Sequence, residues 1–314
     1  SCLSDLRVLL VAMSRKRHEE GCMRLFLYVL TQVCITLVSV CGIYILTGLT
    51  GMFSLGSAAF MAIGAYVSGL LVLKLGMNMY LAFLLAIIAA VAVGYVIGFP
   101  VVRLRRDYIS LVTLGFGESI AQLILLLSQY TGGAFGLIGV PRKVNVGFTV
   151  IAAALAIALT ALFKTSKYGR QCIAIKSDEL AAKSMGINTS KVKMIAFLLS
   201  CGLTAFAGCM YAFYVGYVGP TDFGWKKSAD WVIMVFFGGV NSLTGSIFGG
   251  AFLTFLPQYM QSLNKYRYIV YAVLVLFILN FKPNGIFGEW ELTPRNMKKA
   301  LKKFDRKMRK EGGK

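Results

Sequence analysis

One acidic residue differs from all the others because it lies well inside an apolar run. Glu118 follows Leu114-Gly115-Phe116-Gly117 within the run 107–129. A central acid costs a membrane-spanning segment about 2.5 to 3.5 kcal/mol, which the apolar residues of this run offset. Ionisable groups at membrane depth are functional candidates by default. We expect Glu118 to act near a solute pathway or in a helix contact, and a structural hydrogen bond is the alternative.

Two glycine-rich stretches, 48–64 and 238–250, interrupt the apolar pattern. Non-helical backbone at membrane depth is tolerated where it lines a cavity, and its free N–H and C=O groups can bind a polar solute. With Glu118 nearby, the predicted substrate path therefore comprises Gly51, Ser54, Gly56, Ser57, Gly238, Gly239 and Gly245. The alternative is a pair of ordinary helices whose glycines allow close packing.

The residues of metal sites and hydrolytic enzymes are scarce. His18 is the only histidine, and the seven cysteines include no CxxC pair. A histidine-based metal site or a Ser/His/Asp triad cannot be assembled from this set. We expect a protein that is not an enzyme and has neither a metal nor a cofactor.

The composition indicates which elements position these residues. Apolar residues make up 57% of the 314 residues and charged residues 15%, whereas soluble proteins average roughly 45 to 50% and 25%. A spanning helix needs about 20 mostly apolar residues. The predicted fold is an all-α polytopic membrane protein with about eight apolar segments, at 25–46, 58–73, 79–99, 107–129, 146–163, 193–218, 229–256 and 267–281.

The net charge of +20 is concentrated between these segments. Connectors 1–24, 100–106, 164–193 and 282–314 hold 26 of the 33 Lys and Arg residues. The positive-inside rule places all four in the cytoplasm, with both termini, in a protein of the cytoplasmic (inner) membrane. This distribution favours a membrane orientation over nucleic-acid binding.

Eight simple crossings would put connectors 100–106 and 164–193 outside. All four connectors share one side if 47–74 and 229–256 are re-entrant hairpins of half-helices, which is our prediction. The expected organisation is then a cytoplasmic N-terminal segment 1–24, a transmembrane domain 25–288 and a basic tail 289–314. From Arg295 to Lys310 the tail has amphipathic spacing, which predicts either a helix on anionic lipids or a solvated, disordered segment.

The connector 164–193 contains a short capped helix. Ser177-Asp178-Glu179-Leu180 provides an N-cap and acids in the first turn, and Gly186 closes the helix. Its apolar residues Leu180, Ala181 and Met185 suit a partner's groove. As a bare pattern, a plain surface helix explains these residues equally well.

Several motifs together resemble one known family, the permease subunits of branched-chain amino acid ABC importers. The resemblance covers roughly residues 30–288, and the joint order of its motifs is specific although each alone is weak. The motifs lie at 48–60, 108–118, 131–141, 169–188, 238–251 and 282–288.

The resemblance implies a role and partners. The segment 164–193 would be a cytoplasmic coupling loop that docks onto ATP-binding subunits, with Glu179, Ala181, Ala182 and Gly186 as coupling residues. The chain would pair with a second permease subunit, most simply a different one, and receive branched-chain amino acids or a similar small polar solute from an extracytoplasmic solute-binding protein. The alternative is an ATPase-independent secondary transporter or channel.

Overall fold

The computed structural model describes residues 26–104, residues 106–259 and isolated positions between 269 and 288. Segment 1–24, the tail 289–314 and most of the predicted segment 267–281 lie outside the described residues. Six helices within the described part are long and apolar enough to cross a membrane. They are α1 (Phe26–Thr50), α2 (Ser57–Leu75), α3 (Met79–Val101), α4 (Arg106–Leu126), α6 (Val146–Thr165) and α9 (Thr189–Val215).

Shorter elements connect these helices. The predicted all-α membrane class is confirmed, and one two-residue antiparallel pair, β1 with β2, joins two of the connections. The remaining helices are α5 (Ser128–Thr131), α7 (Lys167–Ser177), α8 (Glu179–Ser184), α10 (Trp225–Gly238) and α11 (Leu243–Tyr259). The strands are β1 (Leu137–Ile138) and β2 (Tyr217–Val218), and 3-10 turns cover Gly133–Phe135 and Pro220–Phe223.

The centre of the molecule is the contact between α2 and α9. A Cβ atom at Gly64 would lie 2.2 Å from the carbonyl oxygen of Ala205, and one at Gly208 would lie 2.0 Å from that of Met61. The two backbones therefore touch where glycine leaves room, as small residues allow in membrane helices. Helix α3 packs on the same pair, since a Cβ atom at Gly94 would lie 3.0 Å from Cys201 Sγ.

The helices run between two opposite faces of the molecule. Arg106, Lys164 and Lys176 lie at one face, which we call the basic face, and the β1–β2 pair lies at the other, the far face. The connectors that contain Arg103 and Lys164–Lys193 share the basic face. The described start of the fourth basic connector lies there too, because the Ile286 amide donates to the Phe237 carbonyl at the end of α10.

Helix α1 runs in the direction opposite to the one the sequence predicted. Tyr28 packs on Tyr214, with ring centroids 5.9 Å apart, at the far-face end of α9. The other end of α1 reaches the basic face, where a Cβ atom at Gly51 would contact Lys176 and Arg106. The expectation that the first helix begins on the basic face is therefore wrong.

With α1 reversed, a re-entrant hairpin at 47–74 is no longer needed to keep the basic connectors on one side. The prediction of that hairpin is also wrong. Within 47–74, residues 47–50 end α1 and Ser57–Leu75 is a helix of 19 residues, long enough to cross a membrane. The second hairpin, 229–256, has the predicted form of two short helices joined by a glycine-containing turn. Helices α10 and α11 approach so closely that a Cβ atom at Gly238 would lie 2.0 Å from the Gly245 carbonyl oxygen.

Candidate functional site

The first broken segment, 48–56, is the largely buried end of α1 together with its connection to α2. The last seven residues of α1, Tyr44–Thr50, form a π-helix, a geometry that is frequent at functional sites. Gly51 ends it with a φ of 70°, which glycine adopts without strain. Ser54 and Ser57 are buried and their hydroxyl oxygens lie 3.4 Å apart.

Helix α4 holds this segment in place. The Leu55 amide donates to Thr113 Oγ1 at 3.1 Å, and a Cβ atom at Gly56 would lie 2.2 Å from the Thr113 carbonyl oxygen. Gly56 is thus required for the close approach of the chain to α4. The space beside Gly56 is therefore occupied by Thr113 of α4.

The second broken segment, 239–242, is the tip of the α10–α11 hairpin and reaches the basic face. Gly239 has a φ of 125°. Ser242 Oγ accepts from the Gly245 amide at 3.1 Å and so caps α11. The predicted path residues Gly238 and Gly245 pack against each other inside the hairpin.

The structure brings the two broken segments together. Phe53 stacks on Phe236 with ring centroids 5.4 Å apart, and Ser228 Oγ accepts from the Ala58 amide at 2.8 Å. A Cβ atom at Gly48 would lie 3.0 Å from the Val240 carbonyl oxygen. The role of these residues as a solute path stays a prediction.

Glu118 lies beside this arrangement without joining it. Gly117 faces Gly56, while Glu118 is half-buried beside a surface groove with Ser119 and Gln122 on α4. In the described part of the chain, its carboxylate forms no hydrogen bond or ion pair with either broken segment. Glu118 is therefore next in sequence to a residue that contacts the first broken segment, but its own side chain does not contact that segment.

Two lysines from the basic connectors hold the hairpin tip. Lys164 Nζ donates to Tyr44 Oη at 2.9 Å and to the Asn241 carbonyl oxygen at 3.2 Å. Lys176 Nζ donates to Asn241 Oδ1 at 2.7 Å and to the Gly48 carbonyl oxygen at 2.8 Å. One lysine of α7 therefore binds both broken segments at once.

A third cation completes this cluster from the start of α4. Arg106 Nη2 donates to the carbonyl oxygens of Ile175 and Lys176 at 2.7 and 2.6 Å, at the carboxyl end of α7. A cation is favourable there because the carbonyls of a helix's last turn carry partial negative charge. We call Tyr44, Gly48, Arg106, Lys164, Lys176 and Asn241 the polar junction.

The charges of the polar junction affect Lys176. Burial lowers the pKa of its ammonium group, and the nearby cations Lys164 and Arg106 lower it further. Lys176 therefore loses its proton more readily than an ordinary lysine. Arg106, Lys164 and Lys176 thus place three positive charges against backbone and amide oxygens at this junction.

Side-chain caps define the coupling segment α7–α8. Ser166 caps α7 by accepting from the Gly169 amide, and Asp178 Oδ1 accepts from the amides of Leu180 and Ala181 at the start of α8. Asn188 Oδ1 then caps α9. The predicted short capped helix is confirmed, with Asp178 as its cap.

Two of the predicted coupling residues face the protein interior. Glu179 Oε2 accepts from Lys193 Nζ at 2.7 Å, where the Lys193 side chain is 2% exposed, and Ala182 is buried. Burial alone would raise the Glu179 pKa, but the hydrogen bond and charge of Lys193, with Lys183, lower it. Glu179 therefore anchors α8 to α9.

The other two, Ala181 and Gly186, are exposed, as are the apolar side chains beside them. Leu180 is 75% exposed and Met185 is 83% exposed. Gly186 ends α8 with a φ of 79° and has open space around it. We call Leu180, Ala181, Met185 and Gly186 the docking surface, because apolar side chains at this exposure suit a partner's groove.

Sequence reasoning missed the ionisable residues of the hairpin and the junction. Lys227 and Asp230 lie on α10 beside a cavity, and Lys164 and Asn241 meet at the tip. Lys227 and Asp230 are three residues apart at the boundary of a predicted segment, which was the available signal. Among the described residues, no three His, Cys, Asp or Glu side chains are grouped so as to hold a metal ion.

Comparison with known proteins places the chain in context. Residues 25–279 match the family model described as branched-chain amino acid transport system / permease component. The high-affinity branched-chain amino acid transport system permease protein LivM of Salmonella typhimurium is 30% identical over 280 residues, which cover 78% of this chain and 66% of the relative. The chain thus spans just under two thirds of that relative's length.

More distant relatives agree. The high-affinity branched-chain amino acid transport system permease protein LivH of Escherichia coli (strain K12) is 26% identical over 276 residues, which cover 78% of this chain and 88% of the relative. The probable branched-chain amino acid transport permease protein LivM of Methanocaldococcus jannaschii is 23% identical over 251 residues, covering 69% and 72%. No solved structure matches the chain.

Proposed function

Since the chain belongs to the family of permease components of branched-chain amino acid transport systems, we propose that it forms the translocation path of an ATP-driven importer. The solute is a branched-chain amino acid or a similar small polar molecule. ATP hydrolysis takes place in a separate cytoplasmic subunit, and this chain is the transport subunit.

The polar junction is the observation that carries this proposal. Lys176 lies on α7, next to the docking surface, and binds Gly48 of the first broken segment and Asn241 of the second. A partner that moves α7 and α8 would therefore displace both segments together. Such a link is what an importer driven by a cytoplasmic motor requires, because binding energy at one site must change the arrangement at another.

The docking surface is the contact that we assign to the ATP-binding subunits. Leu180 and Met185 supply its apolar groups, and Gly186 lets the chain turn away after α8. Glu179 and Ala182 support it from beneath through Lys193 and the buried side of α8. Of the four coupling residues expected from the sequence, two then contact the motor and two position the helix.

The remaining partners follow from the two faces and the exposed helices. The basic face is cytoplasmic in the inner membrane by the positive-inside rule, so an extracytoplasmic solute-binding protein would meet the far face. Three spanning helices, α3, α4 and α6, leave most of their residues unburied. We assign the α4 face that holds Glu118 to a second permease subunit of a different sequence, and anionic lipids to the basic face.

A secondary transporter is the second candidate, favoured by one observation. Such carriers use membrane-embedded ionisable groups for ion coupling, and the hairpin adds Lys227 and Asp230 to Glu118. This candidate needs no cytoplasmic partner. It therefore predicts that the chain works alone.

Co-purification tests the proposed function. In mild detergent the wild-type chain should bring a nucleotide-binding subunit with it, whereas Leu180→Asp combined with Met185→Asp should lose that subunit. The matched control is Ile138→Asp, the same change at an exposed apolar position of the far face. A wild-type chain that supports solute uptake while it purifies alone would contradict the proposal and support the carrier.

A further inference from the structure

A cavity of about 240 Å³ lies between α1, α10 and α11, away from both broken segments. Thr36 of α1 lines it, and this residue precedes Tyr44 of the polar junction by about 12 Å along the helix axis. Asp230 of α10 lies eleven residues before Asn241 at the hairpin tip. The cavity therefore lies on the far-face side of the polar junction.

Two opposite charges line this cavity, of which Lys227 is half-buried and Asp230 is exposed. Lys227 and Asp230 lie three residues apart on α10, which places them on the same side of the helix. The Lys227 ammonium lies 4.3 Å from the ring centroid of Tyr211 and 5.0 Å from that of Phe223. In the described part of the chain, neither charged group forms a side-chain hydrogen bond or an ion pair.

The rest of the lining is mainly apolar, with Thr254 and Gln258 as polar residues from α11. Trp231, Met234 and Leu253 line the cavity, and all three are buried in the packing of the hairpin. The cavity is smaller than the roughly 300 to 1,000 Å³ clefts that hold drug-sized ligands. A small solute with an apolar side chain suits this space.

We propose that this cavity binds a zwitterionic amino acid with an aliphatic side chain. Asp230 receives the ammonium group, Lys227 receives the carboxylate, and Trp231, Met234 and Leu253 surround the side chain. The inference rests on the proposed function, to which it adds a site. It also gives Lys227, which is half-buried, a group of opposite charge that offsets the cost of removing its ammonium group from water.

The position of the cavity connects it to the motor side of the molecule. Helix α10 carries Lys227 and Asp230 in its first turns and ends at Gly238, directly before the tip held by Lys164 and Lys176. A displacement of the tip would move the two charges relative to Thr36 on α1. The bound amino acid would then lose its fit between α10 and α1 and be released.

Binding measurements on the complex of permease and ATP-binding subunits in nanodiscs, prepared without the solute-binding protein, test this site. The probe is radiolabelled L-leucine, competed with 4-methylpentanoate, which lacks the amino group, or with 3-methylbutylamine, which lacks the carboxylate. The variants are Asp230→Asn and Lys227→Met, and the matched control is Lys226→Met, an exposed neighbour on the same helix. Thermal unfolding of each variant checks the fold.

Each variant should lose the contact to one end of the ligand. Asp230→Asn should weaken leucine binding about 10-fold or more while its affinity for 4-methylpentanoate stays within about twofold. Lys227→Met should weaken leucine binding by a similar factor, while its affinity for 3-methylbutylamine stays within about twofold. Lys227→Arg should retain binding, because it keeps the positive charge.

Two results would overturn the site. One is leucine binding by Asp230→Asn and Lys227→Met that equals that of Lys226→Met, or no binding by the wild-type complex. The other is an equal loss of both analogues in either variant, since structural damage does not distinguish the two ends of the ligand. Co-purification of the ATP-binding subunit is measured on the same samples, so failure of the site is separated from failure of the proposed function.

Discussion

The α2–α9 contact and the tip of the α10–α11 hairpin are held together by different chemistry. In the first, glycines let two backbones touch, as at Gly64 with Ala205 and Gly208 with Met61. In the second, the long side chains of Lys164 and Lys176 reach across to Asn241. Backbone contact fixes one geometry, whereas long flexible side chains can keep their hydrogen bonds through a displacement.

This difference separates a scaffold from an element that can move. Packed interiors respond poorly to displacement because each atom has close neighbours on all sides. The hairpin tip instead depends on a few charge-assisted hydrogen bonds, which carry large energies over few atoms. The coupling segment touches both regions, since Glu179 binds Lys193 of α9 while Lys176 binds the tip.

The largest expected effect is on the scaffold. Gly208→Val places side-chain atoms against the Met61 backbone, so the free energy of unfolding should fall by about 3 kcal/mol or more, with loss of folded protein. Gly202→Ala on the same helix is the control, because its Cβ atom would meet Val91 and Ile87 at ordinary distances of 3.6 and 3.8 Å. Thermal unfolding in detergent measures both, and similar melting temperatures would show that the backbones are not in contact.

The next effect concerns the tip and should appear in transport more than in stability. Asn241→Ala removes the acceptor of Lys176. Hydrogen bonds to charged groups contribute about 1.5 to 3 kcal/mol, so solute uptake should fall about tenfold or more. The control is Asn145→Ala, at an exposed asparagine that makes no capping bond at the start of α6. A large drop in melting temperature with normal uptake would reverse the roles given to the two regions.

Glu179→Gln tests the anchor between the coupling segment and the scaffold. The variant leaves the buried Lys193 ammonium without its carboxylate, so the free energy of unfolding should fall by about 1 to 3 kcal/mol. Lys183→Met is the control, because that lysine is largely exposed and lies 3.6 Å from Glu179. Calorimetry with equal stabilities for both variants would argue against an anchoring role.

The same carboxylate has a defined pH dependence. Its pKa in the folded protein lies below its usual value of about 4.3, so its contribution to stability is complete above that pH. The contribution is lost as the pH falls through the lowered pKa. In Glu179→Gln, this part of the loss of stability at acidic pH should be absent. Parallel curves of unfolding free energy against pH for the variant and the wild type would contradict the assignment.

The smallest expected effect is on the alkaline side. Because burial and its neighbouring cations lower the Lys176 pKa, uptake should begin to decline at a lower pH than an ordinary lysine would give. Lys176→Arg keeps its charge at any accessible pH and should shift this decline upward, with a difference of a few-fold near the midpoint. Coincident pH profiles would show that the ammonium charge does not matter for transport.

Local hydrophobicity predicted most of the helices well. The segments 79–99 and 146–163 correspond to Met79–Val101 and Val146–Thr165, and 229–256 lies within the hairpin from Trp225 to Tyr259. These elements follow from runs of neighbouring residues. The first re-entrant hairpin failed because it was derived from charge parity, and that derivation assumed that helix α1 began on the basic face.

The polar junction was beyond sequence reasoning for a different reason. Lys176 and Gly48 are 128 residues apart, and Tyr44 and Asn241 are 197 residues apart. A basic connector predicts its side of the membrane but not which backbone oxygen each lysine reaches. Glu179 likewise has the same sequence pattern whether it faces a partner or Lys193, and only the rotation of α8 decides.

A double-mutant cycle on Lys176 and Asn241 tests the central claim most directly. Leucine uptake is measured for Lys176→Met, Asn241→Ala and the double variant in the complete complex. If the coupling segment acts on the hairpin tip through this contact, the double variant should be within about twofold of the more impaired single variant. Losses that multiply in the double variant would mean that the two residues act independently, and would contradict transmission through the junction.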